Sequence, residues 1–95
     1  FMMYPYITFP SVGDFGDLEI THSQLLENDG IITVEVHFER TTKTDFNSAK
    51  CELPSYKWLI NDGFTDKEIE EFESFLKNNA HVIFKFAERG GNSCS

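Results

Sequence analysis

Basic residues are scarce in this chain of 95 residues: eight Lys and Arg stand against sixteen Asp and Glu, a formal net charge of −8. A chain so poor in cations lacks the footprint that displaces counterions from phosphate, which argues against direct nucleic-acid binding. The same deficit argues against an anionic membrane surface as partner. No apolar run approaches the ~20 residues of a membrane span. The apolar start, Phe1 to Phe9, has no basic stretch before it and is interrupted by Pro5, a poor match to a signal peptide, so a cytoplasmic location is expected. Cysteine is also rare. Cys51 and Cys94 are too few for a disulfide framework; Cys51 sits in apolar alternation as a small core residue, and Cys94 sits in a polar tail.

The usual chemical signatures are missing as well. There is no glycine-rich phosphate cradle, no paired-cysteine motif, no His-Glu-x-x-His and no Gly-x-Ser-x-Gly. No catalytic set, no metal site and no cofactor is expected from the residues present.

Aromatic side chains are abundant. They make up 15% of the residues, ten of them Phe, which is ample material for a packed core without metal or disulfide staples. One domain over residues 1–91 is expected, with 92–95 as a disordered polar tail. Residues 4–9 (YPYITF) read as a strand with Pro5 at an edge, and 10–16 (PSVGDFG) as a loop. Residues 17–26 begin with alternation, Leu18, Ile20 and His22 against Glu19, Thr21 and Ser23. Asn28-Asp29-Gly30 signals a turn. Residues 31–40 (IITVEVHFER) set Ile32, Val34, Val36 and Phe38 on one face and Thr33, Glu35, His37 and Glu39 on a wet one. Residues 48–53 alternate again through Ala49, Cys51 and Leu53 before Pro54. Tyr56, Trp58, Leu59 and Ile60 form an apolar cluster, read as one short helical turn.

A long helix follows. Thr65 and Glu68 form a capping-box pair, and Asp66 places negative charge where the helix dipole favours it. Ile69, Phe72, Leu76, Ala80, Ile83 and Ala87 recur at steps of three and four and fall in a stripe of roughly 80°. The spacing predicts one helix over about 66–89, with Gly90-Gly91 as its stop; a break at Asn78-Asn79, or a strand through Val82, Phe84 and Phe86, competes with it. The expected fold is α+β: an antiparallel meander of three to four strands packed in two layers against a long C-terminal helix.

Two histidines, His22 and His37, lie on adjacent strands of the expected hairpin. A two-residue turn at Asp29-Gly30 sets them opposite each other, the beginning of a zinc site. That register mixes the faces of the sheet, whereas a three-residue turn with Gly30 left-handed pairs Ile20 with Phe38, His22 with Val36 and Leu26 with Ile32, keeping one apolar face. Burial favours the second register and leaves the histidines apart. Cys51 and His37 belong to opposite strand phases, which separates a thiol–imidazole pair. Asp14, Asp17 and Glu19 depart from the spacing of a calcium loop. His81 falls on the polar side of the helix and reads as a surface residue.

Charge is unevenly spread. Residues 1–30 hold Asp14, Asp17, Glu19, Glu27 and Asp29 with no Lys or Arg; residues 62–73 hold Asp62, Asp66, Glu68, Glu70, Glu71 and Glu73 against Lys67 alone; Arg40, Lys43, Lys50 and Lys57 cluster between them. Acids at a helix start are ordinary dipole partners, and they also make a surface suited to a basic protein. The candidate partner-binding residues are Asp66, Glu70 and Glu71 of the acidic helix, with Tyr56 and Trp58 as aromatic anchors. The stretches VEVHFER, CELPSYKW, FTDKEIEEFESFL and NNAHVIFKFAERGG resemble small uncharacterised bacterial or phage proteins over residues 7–91. That resemblance implies a bacterial cytoplasmic origin and carries over no functional residue. The expectation is a non-enzymatic protein-binding or regulatory module whose partner has a basic surface, with a second copy of the chain also admitted. The alternatives are an acidic nucleic-acid mimic that inhibits a DNA- or RNA-binding protein, and a small enzyme whose site is assembled only in the fold or in a dimer.

Overall fold

A computed structural model of the chain describes residues 2–10, 13 and 15–90. The expected tail 92–95, with Cys94, Gly91 and Asp14, lies outside the described residues. The elements are β1 (Met3–Phe9), β2 (Leu18–Ser23), β3 (Leu26–Asn28), β4 (Ile31–Thr41), β5 (Phe46–Leu53), β6 (Lys57–Asp62) and α1 (Asp66–Glu88). All six strands form one antiparallel sheet in the order β1-β2-β4-β5-β6, with β3 pairing β4 beyond the end of β2. The α+β expectation therefore holds, with more strands than three to four. Among the described residues no helix is long and apolar enough to cross a membrane.

Two of the extra strands have identifiable physical causes. Of the cluster Tyr56, Trp58, Leu59 and Ile60, the last three are not in a helical turn but in β6, and Tyr56 stands in the turn just before it. Its register slips between Cys51↔Trp58 and Lys50↔Ile60, so Leu59 is an extra residue that destroys the period-two pattern a strand otherwise shows. The hairpin tip holds the second correction. Asn28 pairs with Ile31, so the turn has two residues, Asp29 (φ 53°) and Gly30 (φ 80°), both left-handed as a type I′ turn requires. Further down, His22 still pairs with Val36 and Ile20 with Phe38. Both registers coexist because one extra residue at Gln24-Leu25 separates β3 from β2 and restores the apolar face below the tip.

Register then fixes which side chains share a face. Ile20, Phe38 and Ala49 line up across the sheet, as do His22, Val36, Cys51 and Trp58, and Val34 pairs with Leu53. These are the residues on which α1 lies, burying Phe72, Leu76, Ile83 and Ala87. The Phe38 ring stacks on Phe72 at 4.5 Å and 8°, and Phe64 meets Phe72 edge-on at 4.9 Å. Ile31 and Ile32 stay exposed because the tip overhangs the end of the covered area.

α1 is continuous, about 34 Å long at ~1.5 Å per residue. The Asn78-Asn79 pair does not break it. Asn79 Nδ2 donates to the Phe75 carbonyl at 2.8 Å, and the Tyr6 hydroxyl donates to Asn79 Oδ1 at 2.7 Å, so this asparagine ties the helix to the β1 edge. At the start, the Thr65 hydroxyl accepts from the Glu68 amide at 3.1 Å, and Glu68 Oε1 accepts from the Thr65 amide at 3.0 Å. The other oxygen of Glu68 holds Arg40 of β4 at 2.7 Å. Between β6 and α1, Asn61 bonds both the amide and the carbonyl of Phe64. Gly63 (φ 103°) makes that bend, and a side chain there would strike Asn47. The C-terminal turn closes on Arg89 and the left-handed Gly90 (φ 80°).

Phe38 is fully buried at the centre of this contact. Phe38→Ala is expected to cost about 3–5 kcal/mol, a large part of the ~5–15 kcal/mol typical of a domain. Ile31→Ala at the exposed tip should stay within about 0.5 kcal/mol. Urea unfolding of both variants checks the contrast.

Candidate functional site

The face of the sheet turned away from α1 is polar, and among the described residues no helix or strand lies across it, although the His37 and Glu35 side chains at its middle are only 25% and 19% exposed. Three rows cross it. Glu19, Glu39, Ser48 and Asp62 pair strand to strand, as do Thr21, His37, Lys50 and Ile60; Glu35, Glu52 and Lys57 form the third, with Ser23 beside them through a bond from the Glu35 amide to its hydroxyl at 3.0 Å. The wet face of residues 33–39 is thus the middle of a continuous surface.

Two pairs in these rows set like charges directly opposite: Glu19 faces Glu39 and Glu35 faces Glu52. Opposed carboxylates destabilise a sheet by a few tenths of a kcal/mol up to about 1 kcal/mol. The second pair is relieved locally, since Lys50 Nζ stands 3.4 Å from Glu35 Oε1. The first is not: among the described residues neither Glu19 nor Glu39 forms an ion pair.

Arg40, next in sequence to Glu39, is the natural neutraliser, but strand alternation turns it to the helix side. There its guanidinium bonds Glu68 and lies over the rings of Phe15 (4.1 Å) and Phe64 (5.0 Å). Burial pushes the Glu68 carboxyl up, but the Arg40 and Thr65 bonds and the Arg40 charge outweigh it, holding the group below its ordinary value of 4.5. The charge of Arg40 is thereby committed to anchoring α1.

An open cleft of about 700 Å³ lies over the Glu19–Glu39 pair, its walls including Asp17, Thr42, Asp45 and the half-exposed ring of Phe46. The turn from β4 to β5 builds one wall through Thr42 N–H to the Asp45 carbonyl at 2.8 Å and Asp45 N–H to the Thr42 hydroxyl at 3.0 Å. The loop before β2 builds another, fixed by the Gly16 amide on the Thr41 carbonyl at 2.8 Å; a side chain at 16 would strike the Thr41 hydroxyl. Asp17 and Glu19, two of the acids whose spacing departs from a calcium loop, sit in this cleft. Among the described residues no three His, Cys, Asp or Glu side chains are placed to hold a metal ion.

The histidines and the thiol are dispersed. His22 is completely buried on the helix side, its Nδ1 2.8 Å from the Ser23 carbonyl and its ring among Tyr4, Tyr6 and Phe86; Nε2 has no hydrogen-bond partner. His37 is on the opposite face, paired with Thr21. Cys51 faces the helix, fully buried, with its thiol pushed up to about 12 by burial and then by Glu73 and Glu52. His81 is exposed on α1.

Asp66, Glu70 and Glu71 are all exposed along the first turns of α1. Tyr56 and Trp58 are held elsewhere. Trp58 is half-buried against Phe38 (5.7 Å) and its Nε1–H donates to Glu73 at 3.3 Å; Tyr56, with φ 60°, is half-buried and has Lys77 Nζ 5.7 Å from its ring. The aromatics thus seal the β6 side of the core. The cleft residues escaped sequence reading because Glu19, Glu39 and Asp45 are distant in the chain, although the alternation of 31–40 did mark their strand's wet face.

His37 carries the pH dependence of the open face. Burial lowers its pKa, Lys50 lowers it further, and Glu35 and Glu39 oppose them; the net value lies below 6.5. The folded chain then binds this proton less readily than the unfolded chain, so the stability involved is intact above pH 6.5 and falls as the pH drops through 6.5 toward the folded value. Lys50→Gln should raise the His37 midpoint, read by NMR titration of the ring. In a Cys94→Ser background, thiol reagents at pH 8 should label Cys51 only as fast as the chain unfolds; labelling of the native state at the rate of a free thiol contradicts its burial. No family model, curated protein or solved structure matches this chain.

Proposed function

We propose that the chain is a non-enzymatic protein-binding module that docks through the uncovered face of its sheet. The observation that carries this reading is the opposed Glu19–Glu39 pair left uncompensated at the floor of a cleft. A folded chain gains nothing from such repulsion, and a partner that brings positive charge to the pair relieves it. The edges of the sheet are poorer docking sites, since β1 carries Pro5 and an irregular register, and β6 carries the Leu59 bulge. The acidic start of α1 is the rival surface, but Asp66 there is favoured by the helix dipole, and Lys67 lies among its acids.

Photoreactive residues placed at Thr21 or Ser48, and separately at Ser74 and Asn78 on the outer side of α1, distinguish the two surfaces in cells that make the protein. Discrete protein adducts from the sheet positions and none from the helix positions are expected. Adducts from Ser74 or Asn78 alone move the docking surface to α1, and no adduct from any position contradicts protein binding.

A further inference from the structure

We infer that the partner presents a basic protein surface, and that one of its lysine or arginine side chains seats between Glu19 and Glu39 beside Phe46. The inference rests on the sheet-docking reading above and names the chemistry of the occupant.

Charge complementarity decides it. The open face carries Glu19, Glu35, Glu39, Glu52 and Asp62 against Lys50 and Lys57, with His37 held toward its neutral form among them. Lys50 is already engaged with Glu35 at 3.4 Å, so among the strand residues of the face the end bearing Glu19 and Glu39 is the more negative. Two copies of this face brought together would repel, which disfavours a second copy of the chain as occupant. A nucleic acid would be repelled for the same reason. Arg40 also borders the cleft, but its guanidinium is engaged with Glu68, Phe15 and Phe64, so a cation placed over the Glu19–Glu39 pair relieves a cross-strand repulsion that no ion pair among the described residues offsets. Phe46, on the same face through its pairing with Thr41, offers an exposed ring to the aliphatic stem or to a guanidinium plane. The Thr42 and Asp45 oxygens beside it are suited to accept from the remaining N–H groups of that cation. Such a contact is screened by salt, so it weakens as ionic strength rises.

The test uses the full chain, ¹⁵N-labelled, titrated with hepta-arginine and hepta-lysine peptides at low salt and with hepta-glutamate as control. Shifts should concentrate at Glu19, Glu39, Thr41 and Phe46. Glu19→Lys/Glu39→Lys should weaken binding about tenfold, while Glu70→Lys/Glu71→Lys, with the same change in net charge, should change it less than about threefold. Glu19→Gln and Glu39→Gln serve as variants that retain the fold: each should raise the urea midpoint by removing repulsion while weakening peptide binding. Equal losses from the sheet and helix reversals, or shifts centred on α1, overturn the inference. Sheet-position adducts with no peptide binding overturn the basic occupant and leave the docking reading standing; peptide binding at the cleft without sheet-position adducts does the reverse.

Discussion

The stack of Phe38 on Phe72 fixes which side of the sheet the helix covers. β4 is the central strand, with partners on both edges, and its side chains alternate strictly between faces. Once Phe38 is committed to α1, Val34 and Val36 go with it, and Glu35, His37 and Glu39 are committed to the other side. The placement of the polar groups along the sheet follows from that single choice. It also explains why Arg40 serves the helix, since it shares the phase of Phe38 and reaches the oxygen of Glu68 that the N-cap does not use.

An uncovered face of an antiparallel sheet is ordinary, and most are polar. Here two pairs of carboxylates are directly opposed, one compensated by Lys50 and one without an ion pair among the described residues. The difference between the pairs is a matter of strand phase. Lys50 shares the open face with Glu35, whereas the cation nearest to Glu39 in the chain points through the sheet to α1. The Glu19–Glu39 pair, without an ion pair among the described residues, is the basis for the binding role proposed.

Much of the fold was legible in the sequence. The alternation of 31–40, the Thr65–Glu68 box and the stripe from Ile69 to Ala87 are local patterns that survive into the structure, and the pairing of Ile20 with Phe38 followed from keeping apolar residues on one face. What escaped were interruptions of a pattern. The extra residue at Leu59 hid β6, and the extra residue at Gln24-Leu25 let a two-residue turn coexist with the register expected of a three-residue one. Asn78-Asn79 read as a weak point because the tie from Asn79 to Tyr6 spans the length of the chain. The setting of Tyr56 and Trp58 was hidden in the same way: both are half-buried, Trp58 on β6 and Tyr56 in the turn before it. The cleft, assembled from β2, β4 and two loops, has no contiguous signature.

The side of the sheet on which α1 lies can be read directly from a NOESY spectrum of the isotopically labelled protein. Cross-peaks are expected from the Phe38 ring to Phe72 and from Val36 to residues of α1, with none between the His37 ring and the helix. Contacts from His37 or Glu35 to α1 side chains would place the helix on the opposite face and remove the open acidic surface.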